Sequence, residues 1–239
     1  MTGHSTDSQP TADIGILGTG RMGVRLALML ARVGKRVVLG SRDPQRAARI
    51  VNGLKTSGVI AGSYEQAVRP PIVLPAAFIR DGLFSLLEDY RASLDGKIVI
   101  DISNPFNDDY SDFVLPWNTS GAEELQKRFP LARVVGAFKN VWWEVFDAPH
   151  FGEYVSDVLV AGDDAQAKTI VFELCAGTPF RYIDAGALKN CRTIERLTLL
   201  TGELGRRYHY HPRMNWRLLG EPWRLGSADK DGIDRLIAR

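Results

Sequence analysis

Three glycines at the spacing GxGxxG form the clearest chemical motif of the chain: Gly18, Gly20 and Gly23 lie within the stretch GILGTGRMG. In a dinucleotide-binding turn the first glycine permits a tight turn, the second lets the backbone approach a pyrophosphate, and the third lets helix and strand pack closely. The N-terminus of the following helix adds amide donors and a favourable dipole for the anion. The motif therefore predicts a dinucleotide site, with a purely structural turn as the alternative. The predicted contacts of this loop are Gly18, Thr19, Gly20, Arg21, Met22 and Gly23.

The residues expected to meet the adenosine ribose are basic rather than acidic. About twenty residues after the glycines, where many dinucleotide-binding chains carry an acid, the stretch VVLGSRDPQR holds Ser41, Arg42 and Arg46. These groups suit a 2′-phosphate, because arginine forms charge-assisted bidentate hydrogen bonds to phosphate. Arg21, a cation within the glycine motif, favours the same ligand, whereas Asp43 is predicted to cap the next helix. The pattern predicts NADPH as cofactor, and the alternative is a solvated helix start.

Small, amide and charged residues follow the later predicted strands, where the nicotinamide would lie. The predicted cofactor contacts there are Pro75, Ala76, Ser103, Asn104 and Ala137. Small apolar residues suit a ring lying flat, and Asn104 would either orient a carboxamide or form a simple Asx turn. Lys139 is the candidate catalytic residue, with three roles left open: binding an anionic substrate, donating a proton, or forming a salt bridge. Trp142 and Trp143 would either wall a planar acceptor or belong to the core.

Alternating strand and helix patterns must position these residues. Apolar runs predict strands at DIGIL, KRVVLG, GVIAG, PPIVLPAAF, GKIVIDISNP, ARVVGAF, DVLVAG and FRYIDAG. Helical patterns lie between them, one of them capped by Ser120, and a further helical pattern runs from Ala187 to Tyr208. Repeated strand–helix–strand units predict an α/β fold: a Rossmann-type, doubly wound, mostly parallel sheet with a helical C-terminal segment. Ligands of such sheets bind at the carboxyl ends of the strands.

The composition excludes several other classes of protein. The 239 residues are 45% hydrophobic and 24% charged with a net charge of +2, which favours neither disorder nor a nucleic-acid partner. Cys175 and Cys191 have no disulfide-framework or metal-site spacing, and no metal site is predicted. The polar N-terminus is not that of a signal peptide, so we expect a soluble cytoplasmic protein without a membrane partner. The basic, aromatic stretch GRRYHYHPR, residues 205–213, would either contact an anion or form a solvated helix end.

Several motifs taken together resemble one known family. GILGTGRMG, VVLGSRDPQRA, IVIDISNP, ARVVGAFKN and AGDDAQAK…FRYIDAGAL…RTIERLTLL occur in this order over residues 13–200. They resemble the NADPH-dependent reductases of the deazaflavin coenzyme F420 and are similar to the cytoplasmic oxidoreductase domain of the STEAP metalloreductases. The resemblance implies a homodimer, hydride transfer from ring to ring, and a deazaflavin or flavin acceptor in a pocket completed by the C-terminal segment. It implies NADPH binding through Thr19, Arg21, Ser41, Arg42 and Arg46.

The chain departs from the family pattern where the acceptor would lie. The family usually reads Ala-Phe-Asn-Thr after the sixth strand, whereas this chain has Ala137-Phe138-Lys139-Asn140, and it continues with HPRMNWRLLGEPWRLG. The predicted organisation is a disordered tail at 1–12, an NADP-binding Rossmann domain at 13–186, and a mainly helical segment at 187–239.

The predicted function is a soluble NADPH-dependent oxidoreductase that transfers hydride between NADP(H) and a small-molecule acceptor, coenzyme F420 or a flavin. One alternative is an NADPH-dependent reductase of a small biosynthetic substrate, an imine or an activated alkene. That reaction needs a proton donor, for which Lys139, Tyr110 and Tyr154 are the candidates. The other alternative is a non-catalytic NADPH-binding protein.

Overall fold

A computed structural model of the chain describes residues 12–220. Its strands are β1 (Ile14–Leu17), β2 (Val37–Ser41), β3 (Val59–Ser63), β4 (Ile72–Pro75), β5 (Ile98–Asp101), β6 (Arg133–Gly136), β7 (His150–Phe151), β8 (Tyr154–Val155), β9 (Asp157–Gly162) and β10 (Arg181–Asp184). Its α-helices are α1 (Arg21–Arg32), α2 (Pro44–Gly53), α3 (Tyr64–Ala67), α4 (Leu83–Glu88), α5 (Arg91–Leu94), α6 (Gly121–Arg128), α7 (Ala165–Leu174) and α8 (Cys191–Arg207). Two 3₁₀ turns lie at Trp143–Phe146 and Leu188–Asn190.

Eight strands form one sheet in the order β3-β2-β1-β4-β5-β6-β9-β10. The first six of these strands are parallel, and their order places the reversal of the chain path between β1 and β4. Strand β9 joins the edge of β6 in the antiparallel direction, and β10 is parallel to β9. The antiparallel β7–β8 hairpin stands apart from this sheet. The Rossmann-type, doubly wound, mostly parallel sheet is therefore confirmed.

Nearly every strand residue is apolar, so both faces of the sheet have to be buried. Helices cover both faces. Ile14 and Ile16 of β1 belong to one core cluster, and Leu17 belongs to the other. The first cluster includes α1 and α7, and the second includes α4, α6 and α8. Side chains that alternate between two buried faces are typical of strands at the centre of a parallel sheet. This packing holds the carboxyl ends of the strands rigidly at one edge.

The predicted helix starts are confirmed by their caps. The Asp43 carboxylate accepts a hydrogen bond from the Gln45 amide at 3.0 Å, and the Ser120 hydroxyl accepts one from the Glu123 amide at 3.2 Å. Capping occupies Asp43 at the start of α2 and removes it as a ribose partner. Between β4 and β5 the chain forms two short helices, α4 and α5. The sequence patterns did not predict the β7–β8 hairpin or the reversed direction of β9.

The remaining sequence predictions concern the ends of the chain and its cysteines. The helical pattern from Ala187 to Tyr208 is confirmed by the second 3₁₀ turn and α8. The predicted tail at 1–12, apart from its last residue, and positions 221–239 of the predicted C-terminal segment lie outside the described residues. Within residues 12–220 no helix is long and apolar enough to cross a membrane, and no cluster of potential metal ligands is found. Cys175 and Cys191 are buried free thiols.

Candidate active site

A cavity of about 660 Å³ opens at the carboxyl edge of the sheet. Residues that follow β1, β4, β5 and β6 form one side of it, and residues of α8 and the segment after α8 form the other. Its size is that of a cavity for a small organic ligand, and its position is the one where parallel α/β sheets bind their ligands. The strand ends that the sequence singled out therefore meet at one site.

The three glycines of the motif have three different surroundings. Gly18 has φ +130°, a conformation that residues with a Cβ rarely adopt. A Cβ built on Gly23 would lie 2.0 Å from the Gly18 carbonyl oxygen, so the third glycine is required for helix–strand packing. A Cβ on Gly20 would meet nothing within 4 Å, and no side chain caps the amides at the start of α1. The protein itself does not require glycine at position 20, whereas a pyrophosphate lying against the backbone would.

Four of the residues predicted to bind NADPH lie near one another: Thr19 follows β1, Ser41 and Arg42 lie at the end of β2, and Arg46 is in the first turn of α2. The Arg46 Nε donates to the Thr19 hydroxyl at 3.0 Å, and its Nη2 donates to the Thr19 carbonyl at 3.4 Å. Ser41 is buried at the end of β2, and Arg42 is exposed beside it. Among the described residues neither Arg42 nor Arg46 pairs with a carboxylate, so both guanidinium charges are available to an anion.

Arg21 lies elsewhere. Its guanidinium stands 5.2 Å from the centre of the Trp143 ring and lines the cavity, whereas Ser41, Arg42 and Arg46 do not line it. The structure therefore does not bring Arg21 together with Ser41, Arg42 and Arg46, the predicted 2′-phosphate site. Arg21 is the first residue of α1, and it lies at the cavity.

The predicted nicotinamide contacts divide into lining and supporting residues. Ala76, Ser103 and Asn104 line the cavity, as does Met22. Two of the predicted contacts, Pro75 and Ala137, do not line it. Pro75 is buried opposite Leu17 in the β1–β4 pairing, and the Ala137 amide donates to the Asp101 carbonyl at 3.1 Å. Both residues are buried within the sheet, so they support the strand ends and do not face the cavity.

Asn104 carries an unpaired acceptor on a fixed side chain. Its Nδ2 donates to the Lys139 carbonyl at 2.9 Å, and its Oδ1 is buried without a hydrogen-bond partner in the part of the chain that the structure describes. The simple Asx turn considered for this residue is wrong, because the side chain bonds a residue 35 positions away. An orphaned carbonyl oxygen in a cavity fits a ligand N–H, such as that of a carboxamide.

Lys139 lies at the centre of a buried ion cluster and does not reach the cavity with its ammonium group. Its Nζ is 2.6 Å from Asp101 Oδ2 and 2.8 Å from Glu195 Oε1, and it also donates to the Ser103 carbonyl. All three charged side chains are at most 1% exposed. Phe138, with φ 58°, turns the chain after β6 so that the lysine points back under the sheet edge. Of the three roles left open for Lys139, the structure displays the salt bridge.

The electrostatics of this cluster favour a charged, ion-paired Lys139. Burial opposes its charge, but the neighbouring Asp101 and Glu195 carboxylates raise the pKa of Lys139 above its ordinary value. Burial raises the pKa of Glu195, with Lys139 opposing and Asp101 adding to the rise. The second carboxylate is held by α6, because the Gly121 amide donates to both Glu195 oxygens at 3.0 and 3.1 Å. The catalytic designation of Lys139 is therefore corrected: the side chain ties β5, β6 and α8 together.

Aromatic side chains wall most of the cavity, including both tryptophans. Trp142 packs edge-on to His211 with ring centres 4.9 Å apart, and Trp143 lies beneath the Arg21 guanidinium. The sequence patterns did not indicate several lining residues, which come from the loops after β4 and β5, from α8 and from the segment after it: Phe78, Phe106, Thr198, Arg206 and His211. The one signal for the last two was the basic aromatic stretch at 205–213.

A Rossmann-type sheet with an aromatic cavity beside a glycine-rich loop defines a dinucleotide-dependent oxidoreductase. Residues 13–105 match the family model described as NADP oxidoreductase, coenzyme F420-dependent. Over 204 residues the chain is 30% identical to the F420-dependent NADP reductase of Methanocaldococcus jannaschii, an alignment that covers 80% of this chain and 91% of that protein. The chain belongs to this family of F420-dependent NADP oxidoreductases.

Two further comparisons concern a metalloreductase relative and a solved structure. The metalloreductase STEAP3 of Rattus norvegicus is 35% identical over 187 residues, which are 78% of this chain and 36% of that protein. The chain thus spans about a third of the length of its metalloreductase relatives. The crystal structure of a protein from Arthrobacter sp. FB24, described as an F420-dependent NADP reductase, superposes with a TM-score of 0.74 at 24% identity. This match covers 83% of this chain and 95% of the other, and it shows the shared fold.

Proposed function

We propose that the protein transfers hydride between NADP(H) and a flavin or deazaflavin that binds in the aromatic cavity. The observation that carries this proposal is the direct continuity between the glycine loop and the cavity, which share Gly20, Arg21 and Met22 as lining. The F420-dependent NADP reductase that aligns over 91% of its length supports the same reaction class. The cavity therefore lies where the reactive end of a bound dinucleotide would reach.

The preference for NADPH rests on the residues at the end of β2. The acid that would accept the ribose hydroxyls of NAD is absent there, and Asp43 is engaged as the cap of α2. The hydroxyls of Thr19 and Ser41 and the guanidinium groups of Arg42 and Arg46 supply donors to a 2′-phosphate. These groups form a site with net positive charge, which suits a phosphate and not a bare ribose.

At the reacting end the protein orients rings and excludes water. When bound, the dihydronicotinamide supplies the hydride, so no side chain has to act as a nucleophile. In this proposal the unpaired Asn104 Oδ1 accepts a hydrogen bond from the carboxamide, and the bond from Asn104 Nδ2 to the Lys139 carbonyl fixes the side chain. Ala76 leaves room for a flat ring, and Phe106, Phe138 and Trp142 are among the aromatic residues that line the cavity. Precise orientation of two reacting rings is the main contribution that such a site makes.

One observation favours a second candidate, reduction of a small imine or activated alkene. That reaction needs a proton donor, and Tyr110 lines the cavity, with Arg80 4.3 Å from its ring centre. The other two candidate donors are not available to the cavity. Lys139 is locked in the ion cluster, and Tyr154 lines a separate depression beside the β7–β8 hairpin.

An acceptor screen separates these functions. Purified protein with NADPH is mixed with a deazaflavin, FMN, riboflavin, a cyclic imine and an activated enone, and loss of the NADPH absorbance is followed. Exchange with the flavin or deazaflavin alone supports the first proposal. Turnover of the imine or enone alone supports the second. NADPH binding without loss of absorbance with any acceptor would leave a non-catalytic NADPH-binding protein.

Replacing Arg42 tests the cofactor assignment. Arg42→Ala should weaken NADPH binding by about 1.5–3 kcal/mol, roughly ten- to 150-fold, because a hydrogen bond to a charged group is lost, and should leave NADH binding nearly unchanged. Arg49→Ala is the matched control, since Arg49 is a nearby exposed arginine, in α2, whose guanidinium lies 3.7 Å from the Asp43 carboxylate. Both dissociation constants are measured by fluorescence titration. Equal loss for both cofactors would contradict the 2′-phosphate assignment.

We also propose, from the family resemblance, that the protein forms a homodimer, which sedimentation or light scattering of the full chain would test.

A further inference from the structure

An arginine behind the cavity wall contacts two of the rings that line the cavity. Arg80 follows β4, its side chain is 14% exposed, and it does not itself line the cavity. Its guanidinium lies 4.4 Å from the ring centre of Phe78 and 4.3 Å from that of Tyr110. Both rings line the cavity and meet edge-on. A guanidinium over the faces of two rings, largely shielded from water, is attracted to both and restricts their positions.

The same guanidinium fixes the loop that follows β5. Its Nη1 donates to the Phe106 carbonyl at 3.3 Å and to the Asn107 carbonyl at 2.5 Å. The carboxylates of Asp81 and Asp108 lie farther from its Nε, at 3.9 and 4.0 Å, and both are mostly exposed. Exposed ion pairs of this kind contribute little. The main contacts of Arg80 are therefore two loop carbonyls and two cavity rings.

Tyr110, at the tip of this loop, has a backbone conformation that a tyrosine rarely adopts. Its φ is +61°, in the left-handed region that favours glycine and asparagine. Hydrogen bonds within the loop impose it: the Tyr110 amide donates to the Asn107 carbonyl at 3.2 Å, and the Ser111 and Asp112 amides donate to the Asn107 Oδ1. Strained residues held by their surroundings cluster at ligand sites. The turn itself would favour glycine, so the large ring is explained by the cavity it lines.

We propose that Arg80 is a positioning residue that holds the Tyr110 ring in the cavity wall, where this ring packs against the acceptor. The inference rests on the proposed hydride transfer and adds a residue that governs acceptor binding without touching the acceptor. In that reaction Ala76 and Asn104 serve the nicotinamide, so the wall formed by the loop after β5 is left for the second ring. The Tyr110 ring lies 5.3 Å from the buried Phe106 ring and extends this wall. Contacts between aromatic rings add affinity beyond the area that they bury.

Binding of two ring probes tests the role of Arg80. Riboflavin and 5-deazariboflavin are used, because they carry the two ring systems of the proposed acceptors. Their dissociation constants are measured by fluorescence titration of the NADP⁺-saturated full chain, and KM and kcat are measured by NADPH oxidation. Arg80→Gln should raise the dissociation constants and KM of both probes by about fivefold or more, the effect of one lost ring contact. It should leave kcat and the dissociation constant of NADPH within about twofold, because the cofactor site is intact.

Arg91→Gln is the matched control for a general loss of stability. Arg91 donates to the Arg128 carbonyl at 2.6 Å and lies 4.8 Å from the Phe129 ring centre, so it makes the same kinds of contact. It lies ahead of β5 and β6, at the edge of the sheet opposite to the cavity. The urea midpoint should fall in both arginine variants, whereas probe binding should weaken only in Arg80→Gln. Arg80→Lys keeps the charge without the planar guanidinium, so it should not restore probe binding.

Changes at Tyr110 establish that Arg80 acts through this ring. Tyr110→Gly removes the ring and suits the φ of +61°, so the protein should stay folded and lose as much probe binding as Arg80→Gln does. Adding Arg80→Gln to Tyr110→Gly should change the dissociation constants by less than about twofold, since effects of coupled residues are not additive. Tyr110→Phe, which keeps the ring, should recover most of the probe binding that Tyr110→Gly loses.

The outcomes separate this inference from the proposed function. Unchanged probe binding in Arg80→Gln would overturn the positioning role, and so would additive effects in the double variant, restoration by Arg80→Lys, or a parent protein that binds neither probe. An equal weakening of NADPH and probe binding would assign Arg80 to the fold as a whole and also overturn it. Hydride transfer by Arg80→Gln with the parent KM would retain the proposed function and refute the positioning role. Probe binding that depends on Arg80 and Tyr110, without any hydride transfer, would retain the positioning role and refute the proposed function.

Discussion

Removing the buried lysine charge is the sharpest test of how this site is held together. In Lys139→Met a side chain of similar length replaces the one whose ammonium lies 2.6 Å from Asp101 and 2.8 Å from Glu195. Two carboxylates then remain in a site closed to water, where two like charges cannot both persist. One carboxyl must take up a proton for the protein to remain folded. Glu195 is the candidate, because burial already raises its pKa in the parent protein.

The loss of unfolding free energy in Lys139→Met follows from the proton that Glu195 has to bind. A glutamate with an ordinary pKa of about 4.3 needs about 1.36 kcal/mol per pH unit to become neutral, hence about 4 kcal/mol at pH 7 and about 1 kcal/mol at pH 5. The value at pH 7 agrees with the roughly 3–5 kcal/mol found when one partner of a buried ion pair is removed. The folded-state pKa of Glu195 is raised, so the stability that it contributes is complete below pH 4.3 and is lost as the pH rises through the folded value.

Urea unfolding of the parent protein and of Lys139→Met, at pH 5 and at pH 7, measures the loss of stability at each pH. The variant should lose about 4 kcal/mol of unfolding free energy at pH 7 and markedly less at pH 5. Adding Glu195→Gln to the variant should recover most of the loss at pH 7 and flatten its pH dependence, because an amide needs no proton to sit beside Asp101. A loss below about 1 kcal/mol at both pH values, or a loss independent of pH, would refute the ion cluster and reopen the other roles of Lys139.

The glycine loop offers two contrasting predictions. Gly20→Ala should leave the free energy of unfolding in urea within about 1 kcal/mol of the parent value, since its Cβ meets nothing within 4 Å and its backbone is extended. The same substitution should weaken NADPH binding by about tenfold or more, because the methyl group enters the space of the pyrophosphate. Gly23→Ala should lower the free energy of unfolding by about 1–3 kcal/mol, because its Cβ would lie 2.0 Å from the Gly18 carbonyl oxygen. A urea midpoint equal to that of the parent protein would contradict the packing role of Gly23.

Local sequence patterns were sufficient to predict the cofactor end of the protein. The glycine spacing, the apolar strand before it and the helix after it lie within one strand–turn–helix unit, so the conformation of the loop depends on residues close to it in the chain. The same is true of the helix caps at Asp43 and Ser120, which bond amides two and three residues away. Burial on both faces makes each strand an apolar run, and the alternation of such runs with helices restricts the fold to a doubly wound sheet.

Only the tertiary structure decided which residues line the cavity, because the contacts there join residues distant in the chain. Lys139 is a structural cation because Glu195, 56 residues later, lies against it, and no local pattern indicates that pairing. Arg21 lies against Trp143, 122 residues later, and lines the cavity, which no local pattern indicates. The far wall of the cavity comes from α8 and the segment after it, and the reversed β9 was not visible in its own apolar run. Sequence by itself indicated an NADP(H)-dependent oxidoreductase and the glycine loop expected to hold the cofactor, because that motif is local. Packing between distant segments determined which residues line the cavity beside that loop.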